Sequence, residues 1–288
     1  MSIISEISRV RAYQPGAVEE AMKRRQSAPA LEAGEKMLVL ACDHPARGAL
    51  GAGNDPMAMA SKEEVLARCA AIMDHPKVTG FLGTADMVED LTLMGKLEGK
   101  RVWGSMNRGG IAGAAFEMDD RFTGYDASGV AASRLDGGKM LLRINYEDPG
   151  SVRTMERAAQ AIDGLNQRGL NAMVEPFISE WVGGSIVNDL SRNAVIKSIA
   201  IAQGLGASTA STWLKLPAVQ GMERVMETTT LPTLILGGAV SDDQEATYDL
   251  WQKTLALPNV IGLVIGRSLM FPADGDVPGA VTRLVEML

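Results

Sequence analysis

The segment "STWLKLP" (211–217) sets a lysine, Lys215, in an otherwise apolar run. Desolvation disfavours an ammonium in such a setting, and a neutral amine attacks carbonyl carbon to give a Schiff base. The structural alternative is a lysine that lays its stem along the apolar wall and holds a carboxylate at the rim. Two carboxylates occupy comparable places, Asp43 after "MLVLAC" and Glu175 inside "NAMVEPF". Imine chemistry needs a proton shuttle, and Glu175, whose apolar neighbours predict a raised pKa, suits that work. Asp43 either orients the lysine or binds hydroxyls; its structural alternatives are capping the next loop or pairing with Arg143. Tyr146 is a further acid or a surface residue of "NYEDPG". Gly237-Gly238 and Gly266-Arg267 follow two later apolar runs, where backbone N–H groups and a guanidinium fork would hold a phosphate. Glycine pairs are also ordinary turn formers.

These residues share a position, the C-terminal end of short apolar runs. The runs are MLVLAC (37–42), GFLGT (80–84), RVWGSM (101–106), KMLLRIN (139–145), NAMVEPF (171–177), STWLKLP (211–217), PTLILGG (232–238) and VIGLVIGR (260–267). Amphipathic stretches follow them, among them 61–73, 125–135, 151–167, 191–205, 242–256 and 277–288. Strands alternating with helices imply parallel pairing through crossovers, and runs apolar at nearly every position imply strands covered on both faces. Eight of them predict a closed (β/α)8 TIM barrel at 37–288. The competitor, a doubly wound sheet, would often carry GxGxxG after its first strand, where "DHPARGALGAG" stands. Residues 1–36 show helical spacing in "SEISRVRAY" and "PGAVEEAMKRRQ", with Pro15 in a first turn, and predict an N-terminal helical extension. In such a barrel the chemistry gathers where strands end, and phosphate sits after the last two strands. The first run ends in Asp43-His44, the third in Asn107-Arg108-Gly109-Gly110, and the fourth in Arg143, Asn145 and Tyr146. His44 reads as a hydrogen-bonded support rather than a base, and Cys42 as packing inside the barrel.

The bulk properties narrow the class. A net charge of -7 argues against nucleic acid as a partner, and 46% apolar with 22% charged residues suits a globular core. Two cysteines and two histidines give no disulfide framework and no clustered metal-ligand spacing, so no metal or other cofactor is expected. With no membrane-length apolar run and no signal-like N-terminus, the expectation is a cytoplasmic protein with a small-molecule partner, neither membrane nor nucleic acid.

With these residues in view, the chain resembles the class I aldolases related to archaeal-type fructose-bisphosphate aldolase and to tagatose-bisphosphate aldolase. The matching pieces are "VLACDHP", "GGKMLLRINYEDPGS", "VEP", "WLKLP", "LILGGAVSDD" and "GLVIGRSLM", whose order and spacing cover most of 37–270. The resemblance implies Lys215 as the Schiff-base lysine and Asp43 as the first-strand aspartate. It also implies that the glycines and Arg267 hold a substrate phosphate. Glu175-Pro176-Phe177 stands where the archaeal type has a Tyr-Pro pair, which is similar to the tagatose-type arrangement, and Arg143 stands where some relatives have a lysine. The chain looks closest to an actinobacterial branch of inositol breakdown, which implies 6-phospho-5-dehydro-2-deoxygluconate as substrate. The expectation is therefore a metal-independent lyase of carbohydrate metabolism that cleaves a phosphorylated ketose, and a homo-oligomer. A phosphosugar isomerase or epimerase without covalent chemistry, and a non-catalytic sugar-phosphate binding barrel, are the alternatives.

Overall fold

A computed structural model describes residues 2–238 and 244–288. The strands are β1 (Met37–Cys42), β2 (Val78–Gly83), β3 (Arg101–Ser105), β4 (Gly137–Ile144), β5 (Asn171–Val182), β6 (Ser185–Asn188), β7 (Thr212–Pro217), β8 (Thr233–Leu236) and β9 (Val260–Ile265). All of them except β6 pair in parallel in the order β4-β3-β2-β1-β9-β8-β7-β5, and β5 returns to β4 to close an eight-stranded barrel. The strand β6 pairs antiparallel with the long end of β5, across a Gly183-Gly184 turn in which both glycines have positive φ. Glycine pairs at such turns match the twist of a hairpin.

Helices cover the outside: α1 (Ile3–Tyr13), α2 (Gly16–Arg24), α3 (Lys62–Met73), α4 (Ala85–Leu93), α5 (Ala127–Ala132), α6 (Gly150–Asn166), α7 (Arg192–Ala202), α8 (Met222–Met226), α9 (Gln244–Leu255), α10 (Arg267–Met270) and α11 (Val277–Val285). Several start on a side-chain cap: Ser61 accepts from the Glu64 N–H, Asp126 from Gly129 and Ser191 from Ala194. The helices α1 and α2 lie outside the barrel against α3 and α4, and Arg11 pairs with Glu89 and Asp90 at 2.8 and 2.7 Å. Buried Arg25, just after α2, donates to the carbonyls of Lys100 and Arg134 and so ties this segment to the loops entering β3 and β4.

Alternation divides each strand between two cores. Leu38, Leu40 and Cys42 of β1 face the helices; Met37, Val39 and Ala41 face inward with Leu82, Trp103, Met173, Leu234 and Val264. Cys42 therefore packs toward the helices and not inside the barrel as the sequence suggests. Trp103 and Trp213, with ring centroids 5.9 Å apart, and Leu31 complete the inner apolar layer. Asp43, Ser105, Glu175 and Lys215 continue the inward parity of their strands, so they stand on that layer.

Barrel closure passes through Gly262. Its φ of +146 lies where side chains are rarely tolerated, and a Cβ there would overlap the Met37 backbone across the β1–β9 seam. Gly262→Ala should cost at least about 3 kcal/mol by combined strain and overlap, read as a fall in the denaturation midpoint. A neighbouring change, Ile261→Val, should cost no more than about 1.5 kcal/mol.

Candidate active site

Above the inner apolar layer the barrel opens into a cavity of about 790 Å³. Its floor is an alternating chain of charges. The Lys215 Nζ lies 2.9 Å from Glu175 Oε1, and Lys139 Nζ lies 2.5 Å from Glu175 Oε2. The same Lys139 amine is 3.3 Å from Asp43 Oδ2, which also takes a hydrogen bond from Ser105 Oγ at 3.0 Å and faces Arg108 Nη2 at 3.1 Å. All five charged side chains are buried, and each comes from a different strand or strand end, so the barrel itself sets their spacing.

Burial alone would lift both carboxylates. Lys139 and Lys215 outweigh it at Glu175 and hold that group at about 2; Arg108 and Lys139 outweigh it at Asp43, which falls well below the usual carboxylate range. Both are ionised at neutral pH. Burial pushes Lys139 below the ordinary lysine range, against the pull of Asp43 and Glu175. Burial also lowers His44, to about 3, so the imidazole lining the cavity is neutral, its Nδ1 4.0 Å from Asp43 Oδ1.

On the β8–β9 side the wall consists of Gly237, Gly238, Gly266 and Arg267. A Cβ at Gly266 would come within 2.8 Å of both the Ala41 carbonyl and His44 Cε1, so only glycine lets the end of β9 run against β1 here. Arg267 Nε and Ser268 Oγ are buried without a hydrogen-bond partner among the described residues. Donors left unspent beside a glycine-lined wall fit an anionic group. The "LILGGAVSDD" motif is only partly visible, since Ala239–Asp243 lie outside the described residues.

The structure thus brings Asp43, Glu175, Lys215, Gly237, Gly238, Gly266 and Arg267 around one cavity. It leaves Arg143 and Tyr146 elsewhere. Arg143 is buried against Glu117, donating to its carboxylate and its carbonyl, and so anchors the loop after β3 rather than pairing with Asp43. Tyr146 is 69% exposed and lines a separate cleft beside Trp181. Two further expectations fail. Glu175 is lowered rather than raised, and Lys215 does not lack charged neighbours, both because residues apolar in sequence are not the neighbours in space. Lys139 was missed because "KMLLRIN" places it at the start of its strand. In the structure β4 begins two residues earlier, at Gly137, and the long side chain of Lys139 reaches the charged layer from mid-strand.

Residues 35–285 match the model of a family described as Cgl0159-like. The chain belongs to that family. It is similar, at 47% identity, to Cgl0159 from Corynebacterium glutamicum, whose crystal structure superposes with a TM-score of 0.96 over 99% of this chain and 96% of that one. At 16% identity and a TM-score of 0.60 it is similar to a Schiff base forming fructose-1,6-bisphosphate aldolase, over 94% of this chain and 99% of that one. An archaeal fructose-1,6-bisphosphate aldolase, whose catalytic Lys was captured as the carbinolamine intermediate, matches at 15% identity and a TM-score of 0.61, over 94% and 98%. These two likenesses show a shared fold. No curated protein sequence matches.

In this Cgl0159-like barrel the depressed carboxylates make stability pH-dependent with a definite sign. A carboxylate with a lowered folded pKa contributes stability that is present above its unfolded value and lost as pH falls toward its folded one. For Glu175, going from 4.5 to about 2, the contribution is on the order of 3 kcal/mol, lost between about pH 4.5 and 2. Urea midpoints followed from pH 7 to 2.5 should fall across that window, and Glu175→Gln should start lower at pH 7 and fall less.

Proposed function

We propose that this chain is a class I aldolase that cleaves a phosphorylated ketose through a Schiff base on Lys215. The observation carrying this reading is a buried amine held 2.9 Å from an ionised carboxylate at the floor of a cavity whose β8–β9 wall, beside that amine's strand, suits a phosphate. Two lysines could act as nucleophile, and their surroundings separate them. Lys139 is gripped by two carboxylates, whereas Lys215 meets one. Lys215 also sits on β7, in register with Leu234 of β8, the strand that leads into Gly237-Gly238. A ketone one carbon from its phosphate ester therefore meets Lys215 first when the phosphate rests on the glycines and Arg267.

The steps balance without a cofactor. The Lys215 amine adds to the ketone, and a proton from its nitrogen passes by way of Glu175 Oε1 to the former carbonyl oxygen; that hydroxyl takes a second proton from solvent and leaves as water, so an iminium and an ionised Glu175 remain. Ionised Glu175 takes the β-hydroxyl proton as the adjacent carbon–carbon bond breaks, its electron pair moving through the α-carbon to the iminium nitrogen. An aldehyde departs, Glu175 returns that proton to the enamine carbon, and water adds to the restored iminium, releasing the second product, the amine and the proton first taken from solvent. Asp43, fixed by Ser105, Arg108 and Lys139, faces the same space and binds substrate hydroxyls. Lys139 keeps Glu175 ionised and placed between turnovers. Following the resemblance to the inositol-breakdown branch, the substrate is 6-phospho-5-dehydro-2-deoxygluconate, and cleavage yields dihydroxyacetone phosphate and 3-oxopropanoate.

Borohydride reduction in the presence of dihydroxyacetone phosphate should attach one triose phosphate to the protein, located at Lys215 by peptide mass. Lys215→Met should abolish both adduct and turnover. Lys139→Met should lower kcat by about 100-fold or more yet still yield the Lys215 adduct. An adduct at Lys139 instead, or turnover by folded Lys215→Met, overturns the assignment.

A further inference from the structure

Exposed apolar side chains gather on one face of the barrel. Among the described residues ten large ones are exposed; Ile4 and Tyr13 belong to α1, and the other eight lie at or beyond the C-terminal ends of β1, β3, β4 and β5, around the cavity mouth. Scattered singly such residues are ordinary, but a patch of them marks a contact surface. The strands concerned fall in one arc of the sheet, β5-β4-β3-β2-β1.

Charges on this arc are segregated. One side is basic. Arg121 and Arg153 both reach Asp119, at 2.9 and 2.8 Å, and remain exposed beside the exposed Phe116 and Val152. The Asp119 N–H donates to the Phe116 carbonyl at 2.9 Å, and Val152 precedes Arg153 in the first turn of α6, so these side chains form one patch. The other side is acidic. Glu147, Asp148, Glu180 and Asp189 line the cleft beside Trp181, where Lys197 is the one cation among the described residues. Glu180 pairs across the hairpin with Val187, and Val182 shares their exposed face. From Trp181 to Asn188 the hairpin carries no charge, and β6 is an edge strand, a kind of exposed edge that proteins normally cover. The two patches adjoin at α6. A Cβ at Gly150 would lie 2.9 Å from the Asp119 nitrogen, and Trp181 Nε1 donates to Asp148, two residues earlier, at 2.6 Å.

We infer that this arc is an interface with a second copy of the chain, the basic patch of each protomer meeting the acidic patch of the other about a two-fold axis near the first turn of α6. In a two-fold contact every pairing occurs twice, so a surface carrying both signs side by side complements itself. A partner of single charge sign would be repelled by half of the arc. The expectation of a homo-oligomer names no surface; this arc supplies one, and it is independent of the chemistry assigned to Lys215.

Sedimentation at concentrations up to about 100 µM should show the wild type forming a dimer, since specific interfaces of ordinary size associate at micromolar levels or tighter. Arg121→Glu with Arg153→Glu, or Glu147→Lys with Glu180→Lys, sets like charges against each other in both halves of the contact and should raise the dissociation constant about 100-fold or more. Mixing the two double variants in equal amounts should restore the dimer, because every contact in the mixed pair again joins opposite signs. Phe116→Ser should weaken association without altering any charge, whereas Tyr13→Ser, 80% exposed but on α1, should leave it unchanged. A wild type that is monomeric throughout, an assembly unmoved by both charge reversals, or variants that do not recombine overturns the inference. Capture of a different protein by a monomeric wild-type chain overturns it equally. Should a charge reversal fail to fold by circular dichroism, the serine variants decide: weakened association in Phe116→Ser alone supports the inference, and equal effects overturn it.

Discussion

Glu175 takes a lysine on each carboxylate oxygen, and the rest of the site depends on that double contact. Burying one ion in a protein interior costs several kcal/mol unless a partner is close and well aligned. Two lysines inside one barrel are tolerable only because Glu175 lies between them and Asp43 takes the far side of Lys139. The result is a row, Arg108, Asp43, Lys139, Glu175, Lys215, in which every neighbour has the opposite sign. Such a row is rigid. Removing any of the three inner members leaves a like-charge pair or an unpaired buried charge, so the positions of the outer members are fixed by the inner ones.

The barrel supplies what the row needs, a dry floor and five separate anchor points. Met37, Val39, Trp103, Met173 and Leu234 fill the interior below, so the charges cannot relax downward into water. Inward parity on β1, β3, β5 and β7 then makes the next residue along each strand the one that faces the cavity. A two-residue slip on any strand would move its charge about 7 Å, beyond ion-pair reach. Register here is therefore also electrostatic, and the site reports whether the sheet has closed correctly.

Much of this was legible in the sequence. All eight barrel strands announce themselves as apolar runs, because a strand covered on both faces has no solvent side to spend on polar residues. The hairpin β5–β6 was missed although Gly183-Gly184, flanked by alternating residues, is a signal for it. Within the site, Asp43, Glu175 and Lys215 stand out as polar residues where the pattern demands apolar ones. Lys139 gives the same signal, but a strand boundary set two residues late put it at the wrong end. Arg143 and Tyr146 show the converse error: a strand-end position says that a side chain reaches the rim, not what it does there. Arg143 is used to hold the β3 loop through Glu117. The direction of the Glu175 shift was beyond sequence reasoning, since both lysines that set it lie far from it along the chain.

The two lysines also explain why the row has an odd number of members. With Lys215 as an ammonium, three basic groups face two carboxylates; when Lys215 acts as an amine the row is balanced, and the surplus cation lining the cavity is Arg267. In a low-dielectric cavity that excess attracts anions strongly, yet it disfavours any cation entering with them. A ketone arriving in an anionic molecule is therefore drawn to the floor. As the amine adds, its nitrogen turns positive beside ionised Glu175, and the cations that line the cavity offset the negative charge growing on the carbonyl oxygen. The arrangement favours developing negative charge on oxygen while Glu175 stays free to accept a proton, the combination that addition of an amine to a carbonyl requires. A neutral polar floor could position the same substrate, but it would not lower the barrier to that charge separation.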